Sequence, residues 1–395
     1  MRLHISEAAI RVLAAKGLAG VSYRQVAAQA DVSLALVNYY YPSKFDVISA
    51  AFSVVLDRYI EGFARAGRRF RAGGAPRYRD FAYRLLRNAT ERDHHLTLAW
   101  SEITLDAVRH HESLDLSRTW NEEMRRLWAE IADAVGEPDP ERAARSGIDV
   151  VMGLLFLTCA LRLSETQLNA VLLDQGSPLD CWEPRTVPPP AVPGRKSDKA
   201  ARTREKILLS AIDLLVSDGA AAVSFRSVAA HSGLATAAPA YHFPTVSALL
   251  SAAQMSLIED SRQRYRAAMA DVDRGSISFE VLVDRTATIL IREATEFAAG
   301  NLAFYANWIE AARRPELRSV LWPFVRDHYL GWQRLFETVA GGRPLPSETG
   351  VLALALFIGK LVRILSTGST TDVLADVRRE FVDDFERLRE GRFWR

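Results

Sequence analysis

The sequence predicts an all-α protein built as two tandem copies of one unit, and two observations carry that prediction. Sliding the 395-residue chain against itself by 202 positions superposes Ile5 to Ala51 on Ile207 to Ala253 without a gap, with 18 identities in 47 positions. Later stretches echo each other more faintly, with Trp128/Trp332 and Val135/Val339 offset by 204 and Leu163/Leu365 and Ser164/Ser366 by 202. A period near 200 is far longer than any solenoid repeat, so it marks a fusion of two similar units rather than an array. The second observation is periodicity: residues 52–180 and 254–390 are dense in apolar spacing of the helical kind and poor in strand-like alternation.

The opening segment reads as a run of short helices. Ile5, Ala9, Val12 and Leu13 recur at helical spacing, and Gly17 is a stop of the left-handed kind. Ser22 and Gln25 have capping-box spacing ahead of Val26 and Ala27, which predicts a second helix whose first turn is closed from both sides. After a turn at Asp31-Val32, Ser33 caps a third helix from Leu34 to about Tyr41. Val37 and Tyr41, at i and i+4, face inward, which leaves Leu34, Ala35, Asn38 and Tyr40 on the other side. Pro42 ends that helix, and Ser43 caps a fourth. Two short helices joined by a tight turn are the arrangement that offers a recognition helix to the DNA major groove, although a generic three-helix bundle has the same pattern.

Composition narrows the field without choosing within it. Hydrophobic content of 49% and charged content of 25% belong to a globular chain, not a disordered one. The net charge of +2 is no nucleic-acid footprint in itself. Cys159 and Cys181 are too few and too far apart for a disulfide framework or a zinc site. The apolar run Val150 to Leu161 is 12 residues long, short of the roughly 20 a membrane helix needs, so a core helix is expected and no membrane partner. No apolar h-region follows Met1, so a cytoplasmic protein is expected. Five prolines between Pro184 and Pro193 mark a linker, a semi-rigid polyproline spacer of roughly 30 Å.

The segment Ala30-Asp-Val-Ser-Leu-Ala-Leu-Val-Asn-Tyr-Tyr-Tyr-Pro-Ser-Lys44, with Gly17 and Val21-Ser-Tyr-Arg-Gln-Val-Ala-Ala28 before it, resembles the N-terminal signature of the tetracycline-repressor (TetR/AcrR) family of transcriptional regulators. The resemblance covers about 47 residues of each copy. It implies three helices that bind a double-stranded DNA operator and a larger helical domain that binds a small-molecule effector and dimerises. The expected organisation is a first helix-turn-helix domain at 1–51 and its ligand and dimerisation domain at 52–182. A linker with the start of a basic arm follows at 183–200, then a second helix-turn-helix domain at 201–253 and a second helical domain at 254–395.

By the same resemblance, Ser22, Tyr23, Arg24, Ser33, Leu34, Ala35, Asn38, Tyr39 and Tyr40 belong to the DNA-facing surface of the first copy, and Lys44 meets a phosphate. A lysine beside an amide-rich helix start is also an anion site on physical grounds. The corresponding residues of the second copy are Arg226, Thr236, Tyr241 and His242. That copy departs where contact is expected: Ala235 replaces Ser33, Val246 replaces Lys44, and Pro239 enters the recognition helix. With Thr236 as cap, Pro239 would fall at the third helical position, where its missing N–H costs little. Arg195, Lys196, Lys199, Arg202 and Arg204 form a basic arm ahead of this copy, or a solvated linker.

In the larger domains, Ile148 to Leu163 and Val351 to Leu365 sit where the family builds its dimer interface, so the two copies are expected to pair within one chain as a pseudo-dimer rather than as a homodimer. Trp100, Glu102, Trp120, Met124 and Trp128 in one half, and Phe304, Tyr305, Trp308, Glu310 and Trp322 in the other, are candidate pocket residues, and they describe a core equally well. His94-His95 and His110-His111 carry no metal reading, because neighbours on a helix point apart; neither a metal nor a cofactor is expected. Arg162, Lys360 and Arg363 within apolar helices need partners, Glu165 or an anionic ligand among them. No phosphate loop, dinucleotide fingerprint or nucleophile elbow is present, which disfavours an enzyme. The leading expectation is a repressor released by a small molecule. An activator, or an interaction module whose second head has lost DNA binding, is the alternative.

Overall fold

The structure, a computed structural model, describes residues 1–395 apart from 72–76, 108–110, 173–197, 274, 392 and 395. The regular secondary structure of the described residues is all helical, joined by turns and short loops, with no strand among them. Most of the proline linker, Cys181, Arg195, Lys196 and His110 lie outside them.

The first head is α1 (Arg2–Lys16), α2 (Tyr23–Ala30) and α3 (Leu34–Tyr40). Gly17 ends α1 at φ 67° and ψ 178°. This is not the left-handed helical stop, but it is still a conformation that L side chains rarely adopt. Ser22 Oγ accepts from the Gln25 amide at 3.3 Å. The return bond of the expected capping box is absent, because Gln25 Oε1 instead accepts from Lys16 Nζ at 2.5 Å. Asp31 turns the chain in the left-handed region, and Ser33 Oγ caps α3 by accepting from the Leu36 amide at 3.2 Å. Val37 and Tyr41 are buried, and Tyr41 Oη bonds Ser6 Oγ at 2.9 Å.

The first body follows as α4 (Lys44–Arg71), α5 (Tyr78–Thr90), α6 (His94–Asp106), α7 (His111–Ala134), α8 (Pro140–Leu161) and α9 (Glu165–Leu172). The second head is α10 (Asp198–Asp218), α11 (Phe225–Ser232) and α12 (Ala238–His242). The second body is α13 (Val246–Ala268), α14 (Phe279–Thr295), α15 (Ala298–Arg313), α16 (Pro315–Val339), α17 (Thr349–Thr367) and α18 (Thr371–Arg389). Helices α4 and α13 run unbroken from head to body across positions 51 and 253, so each head is rigidly coupled to its body by a continuous helix.

Helices α8 and α17 cross at the centre of the molecule. Both are apolar and long enough to span a membrane, yet 89% and 94% of their most apolar windows are buried inside the protein. Their backbones touch: a Cβ on Gly153 would collide with the Ala355 carbonyl, and one on Gly359 with the Asp149 carbonyl. Only glycine permits that approach, and Val150, Leu154 and Leu157 share one buried core with Leu352, Leu356 and Leu361, at about 1.5–3 kcal/mol for each side chain removed from water.

A buried ion cluster crosses the same seam. Lys360 Nζ lies 2.8 Å from Asp149 Oδ2 and 2.6 Å from Glu380 Oε2. Arg363 reaches the same two carboxylates at 2.6 and 2.8 Å. Lys360 and Arg363 therefore have internal acid partners and are not waiting for an anionic ligand. Arg162 is not inside an apolar helix: it is the exposed, left-handed C-cap of α8 and contacts His94 Nε2, while Glu165 pairs with Arg87.

Candidate functional site

On α3, the side chains of Leu34 (47% exposed) and Tyr39 (79% exposed) project into solvent beside the exposed Ala35 and Asn38. Arg24 and Lys44 are also exposed, and Lys44 Nζ holds the Leu18 carbonyl at 3.3 Å. Tyr23 is half-buried, and its hydroxyl donates to the Tyr41 carbonyl at 2.9 Å, which locks α2 to the end of α3. Tyr40 is only partly available: it packs on the core with the Arg2 guanidinium 5.9 Å from its ring centre. Ser22 and Ser33 use their hydroxyls as caps.

The second head keeps the layout with different details. Here Ser224 and Ser227 complete a reciprocal capping box, at 2.9 and 3.1 Å. The recognition helix is shortened. Thr236 does not cap it; α12 starts at Ala238, with Ala237 before it and no side-chain cap, and Pro239 is its second residue. Proline fixes φ without needing an amide donor there, and its buried ring takes the place of Val37. Thr236 and Arg226 are exposed, His242 is half-buried, and Tyr241 is 79% exposed, the same value as its counterpart Tyr39. Arg204 is not part of a free arm: it lies 4.7 Å over the Phe243 ring, as Arg2 lies 5.9 Å over Tyr41 in the first head. The repeat thus extends to Arg2/Arg204, a cation–π lock the sequence comparison missed because the matched block begins at Ile5.

The two bodies differ more. In the first, Trp100, Trp120, Met124 and Trp128 leave a gap of only about 40 Å³. Trp120 packs on Phe52 and Tyr59 with ring centres 5.2 and 5.3 Å away, and Trp128 packs on Phe81 at 4.9 Å. These candidate pocket residues form a filled core. In the second body, Phe304, Tyr305 and Trp308 line a cavity of about 1180 Å³. One exchange at a corresponding position goes with the contrast: Phe324, in the cavity lining, stands where Trp120 does. Glu102, Glu310 and Trp322 are not in either lining. Both glutamates pair instead with Arg313, at 2.6 and 3.2 Å, and Trp322 is buried in the main core.

The cavity carries polar groups the sequence did not single out. His328 stands where Met124 does in the first body, and it stacks on Phe324 with ring centres 4.0 Å apart. Its Nδ1 lies 2.8 Å from the Phe324 carbonyl, so the neutral ring donates there and keeps Nε2 as an acceptor. Burial holds this imidazole below its ordinary pKa, against the opposing effects of the Phe324 carbonyl and Asp327. Burial likewise pushes the Tyr265 and Tyr305 phenols upward, so all three are uncharged near neutrality. Trp308 Nε1 is buried without a hydrogen-bond partner. At one side of the lining, Arg262 and Arg266 share Asp327, with the Arg266 contact at 3.5 Å. For His328 the signal is the Met124/His328 exchange, seen when α7 is aligned with α16 at an offset of 204.

Protonation of His328 is disfavoured in the fold, so the unfolded chain takes up its proton first as pH falls through about 6.5. His94, held at about 4 by burial and by Arg162, acts in the same direction. Stability present above pH 6.5 is therefore expected to fall progressively between pH 6.5 and 4, and His328→Gln should flatten part of that fall in urea midpoints taken at pH 7 and pH 5.

Two helix-turn-helix heads on helical bodies, one body hollow, define a DNA-binding regulator. The family pattern described as "Tetracyclin repressor-like, C-terminal domain" matches residues 74–174 and 278–387, one segment in each half and together more than half of the chain. The pattern described as "Bacterial regulatory proteins, tetR family" matches residues 5–51, the first head. This chain belongs to the tetracycline-repressor family of DNA-binding transcriptional regulators. No curated protein matches it.

Proposed function

We propose that the protein is a cytoplasmic transcriptional repressor in which a single chain presents two unlike heads to one operator and is released by one small molecule bound in the second body. The observation that carries this reading is the contrast between corresponding places in the two bodies, about 1180 Å³ around Phe304, Tyr305 and Trp308 against about 40 Å³ around Trp100, Trp120 and Trp128. A symmetric regulator needs two effector sites, whereas this chain is built for one. The lining favours an uncharged, flat aromatic effector: rings supply stacking surfaces, His328 Nε2 accepts, Arg262 and Arg266 already have Asp327 as partner, and the third lining arginine, Arg334, is exposed to solvent.

The pairing of α8 with α17 supports a monomeric pseudo-dimer, since the apolar faces that family members bury between subunits are buried here within one chain. Light scattering is expected to give a species near 44.0 kDa; a stable particle of about twice that mass would instead support a four-headed assembly. Protection mapping on DNA flanking the protein's own coding region, with and without candidate uncharged aromatic compounds, tests the function directly. Protection that no compound relieves would remove the effector from the reading, and absence of any protected site would remove the operator.

Lys44 provides a sharper check on the first head. Lys44 is the first residue of α4, and its exposed ammonium rests on the Leu18 carbonyl at 3.3 Å, within a rotamer change of a phosphate lying along this face. Lys44→Ala is expected to weaken specific and non-specific DNA alike and to flatten the log–log salt dependence by about one unit. An unchanged slope would place Lys44 away from the DNA.

A further inference from the structure

Helix α15 forms one wall of the cavity through Phe304, Tyr305 and Trp308, and it ends at Arg313. That guanidinium is 12% exposed and reaches into the other half. It donates to the carbonyls of Ala14 at 2.7 Å and Leu13 at 2.9 Å, in the last turn of α1. It also meets Glu102 Oε1 at 2.6 Å. The other oxygen of Glu102 accepts from the Leu18 amide at 3.1 Å, just past Gly17. One arginine–carboxylate pair from two bodies therefore holds the end of α1 and the turn that follows it. Helix C-terminal carbonyls lack internal donors and carry partial negative charge, so a guanidinium suits them well.

The neighbouring residue grips the other head. Arg314 donates to Ser251 Oγ at 2.8 Å, on α13 where the second head joins its body. Helix α16 begins at Pro315 and carries Phe324 and His328 into the same cavity. The first head's core is continuous with that of both bodies, whereas the second head has a separate small core that meets α15 at Ala303.

We propose that occupancy of the cavity in the second body is transmitted across the chain to the first DNA-binding head, through α15 and the Arg313 clamp on α1. This rests on reading the cavity as a ligand site. The bonds at 2.7–2.9 Å fail beyond about 3.5 Å; breaking them takes the guanidinium from the Ala14 carbonyl and from Glu102 Oε1, while Leu13 keeps the Gly17 amide and Glu102 keeps the Leu18 amide. A ligand that displaces α15 must therefore carry the end of α1 with it or release it. Helix α1 packs directly on α2 and bonds α3 through Ser6 and Tyr41, so either outcome changes how the first head presents α3.

The test uses the full-length chain and Nile red, an uncharged flat dye whose fluorescence reports an apolar site. Hydrogen exchange is followed by mass spectrometry over residues 13–21 with and without dye. Binding should raise fluorescence and change exchange in that segment about tenfold, a typical coupling between linked sites. Leu282→Trp, which fills the cavity, should abolish dye binding. Arg313→Ala should still bind dye, yet its segment 13–21 should no longer respond. If that variant fails to fold by circular dichroism, Arg313→Lys and Glu102→Gln replace it, each with a reduced response expected. An undiminished response in the substituted chains overturns the clamp as the route. Dye binding without any response in the native chain overturns the coupling and leaves the cavity reading intact. Failure of the native chain to bind dye, or equal binding by Leu282→Trp, overturns the cavity reading and the proposal with it.

Discussion

Lys360→Ala is expected to lower folding stability by about 3–5 kcal/mol, the size of effect seen when one partner of a buried ion pair is removed. Lys360 is fully buried, with Asp149, Glu380 and Asp384 around its ammonium, the last at 3.4 Å. Burial alone would raise the Asp149 carboxyl, but Arg363 and Lys360 outweigh it and hold it at about 2. Removing the lysine leaves three buried acids, Asp149, Glu380 and Asp384, with Arg363 and Arg145 as the remaining bases beside them. The substitution should also loosen the seam between the halves, because Asp149 lies on α8 while Lys360 and Arg363 lie on α17. The same division disfavours the wrong partner. Two α8 helices from different chains would set Asp149 against Asp149, with only Arg142 and Arg145, on the two preceding turns, as bases on either helix. Urea unfolding together with light scattering checks both effects, and a loss below about 1 kcal/mol would mean that apolar packing alone holds the halves together.

The operator is expected to be asymmetric, with mismatches costing more in the half-site read by the first head, at about 1–3 kcal/mol per base pair. The heads share an outward tyrosine, Tyr39 in one and Tyr241 in the other, each 79% exposed. Around it they differ, as Leu34/Thr236, Asn38/Ala240 and Tyr40/His242. Helix α3 has seven residues and a serine cap, whereas α12 has five and none. A shorter, uncapped helix offers fewer ordered side chains to base edges, so the second head is expected to add backbone attraction more than readout. Asn38→Ala should change base preference rather than the salt response. Binding measured against both symmetrised operators decides the matter: if both bind as tightly as the native site, the heads are equivalent and this division of labour is wrong.

What could be read without coordinates was local or periodic. The Ser33 cap needs only an amide three residues on, and Val37 and Tyr41 need only the helical period to be placed inward. Even a local motif was lost where a competing partner stood nearby, as Lys16 did for Gln25 and as Ala237 and Pro239 did for Thr236. The duplication was plain because 18 identities survive in 47 positions.

The helical class, the heads and the inward faces of their helices were legible because each follows from contacts between residues a few positions apart, and the two copies because the chain matches itself at an offset of 202. Tertiary structure decided which aromatic set is core and which is cavity, because that depends on how side chains from four or more helices fill a shared volume: Tyr59 and Trp120 pack together in one half, while Phe324 lines an open volume in the other. It also decided the partners of the buried charges. Lys360 meets Asp149 across 211 positions and Arg313 meets Leu13 across 300, and no spacing rule reaches that far, because such pairs are chosen by the cost of leaving a buried charge or carbonyl unmatched once the two halves have closed on each other.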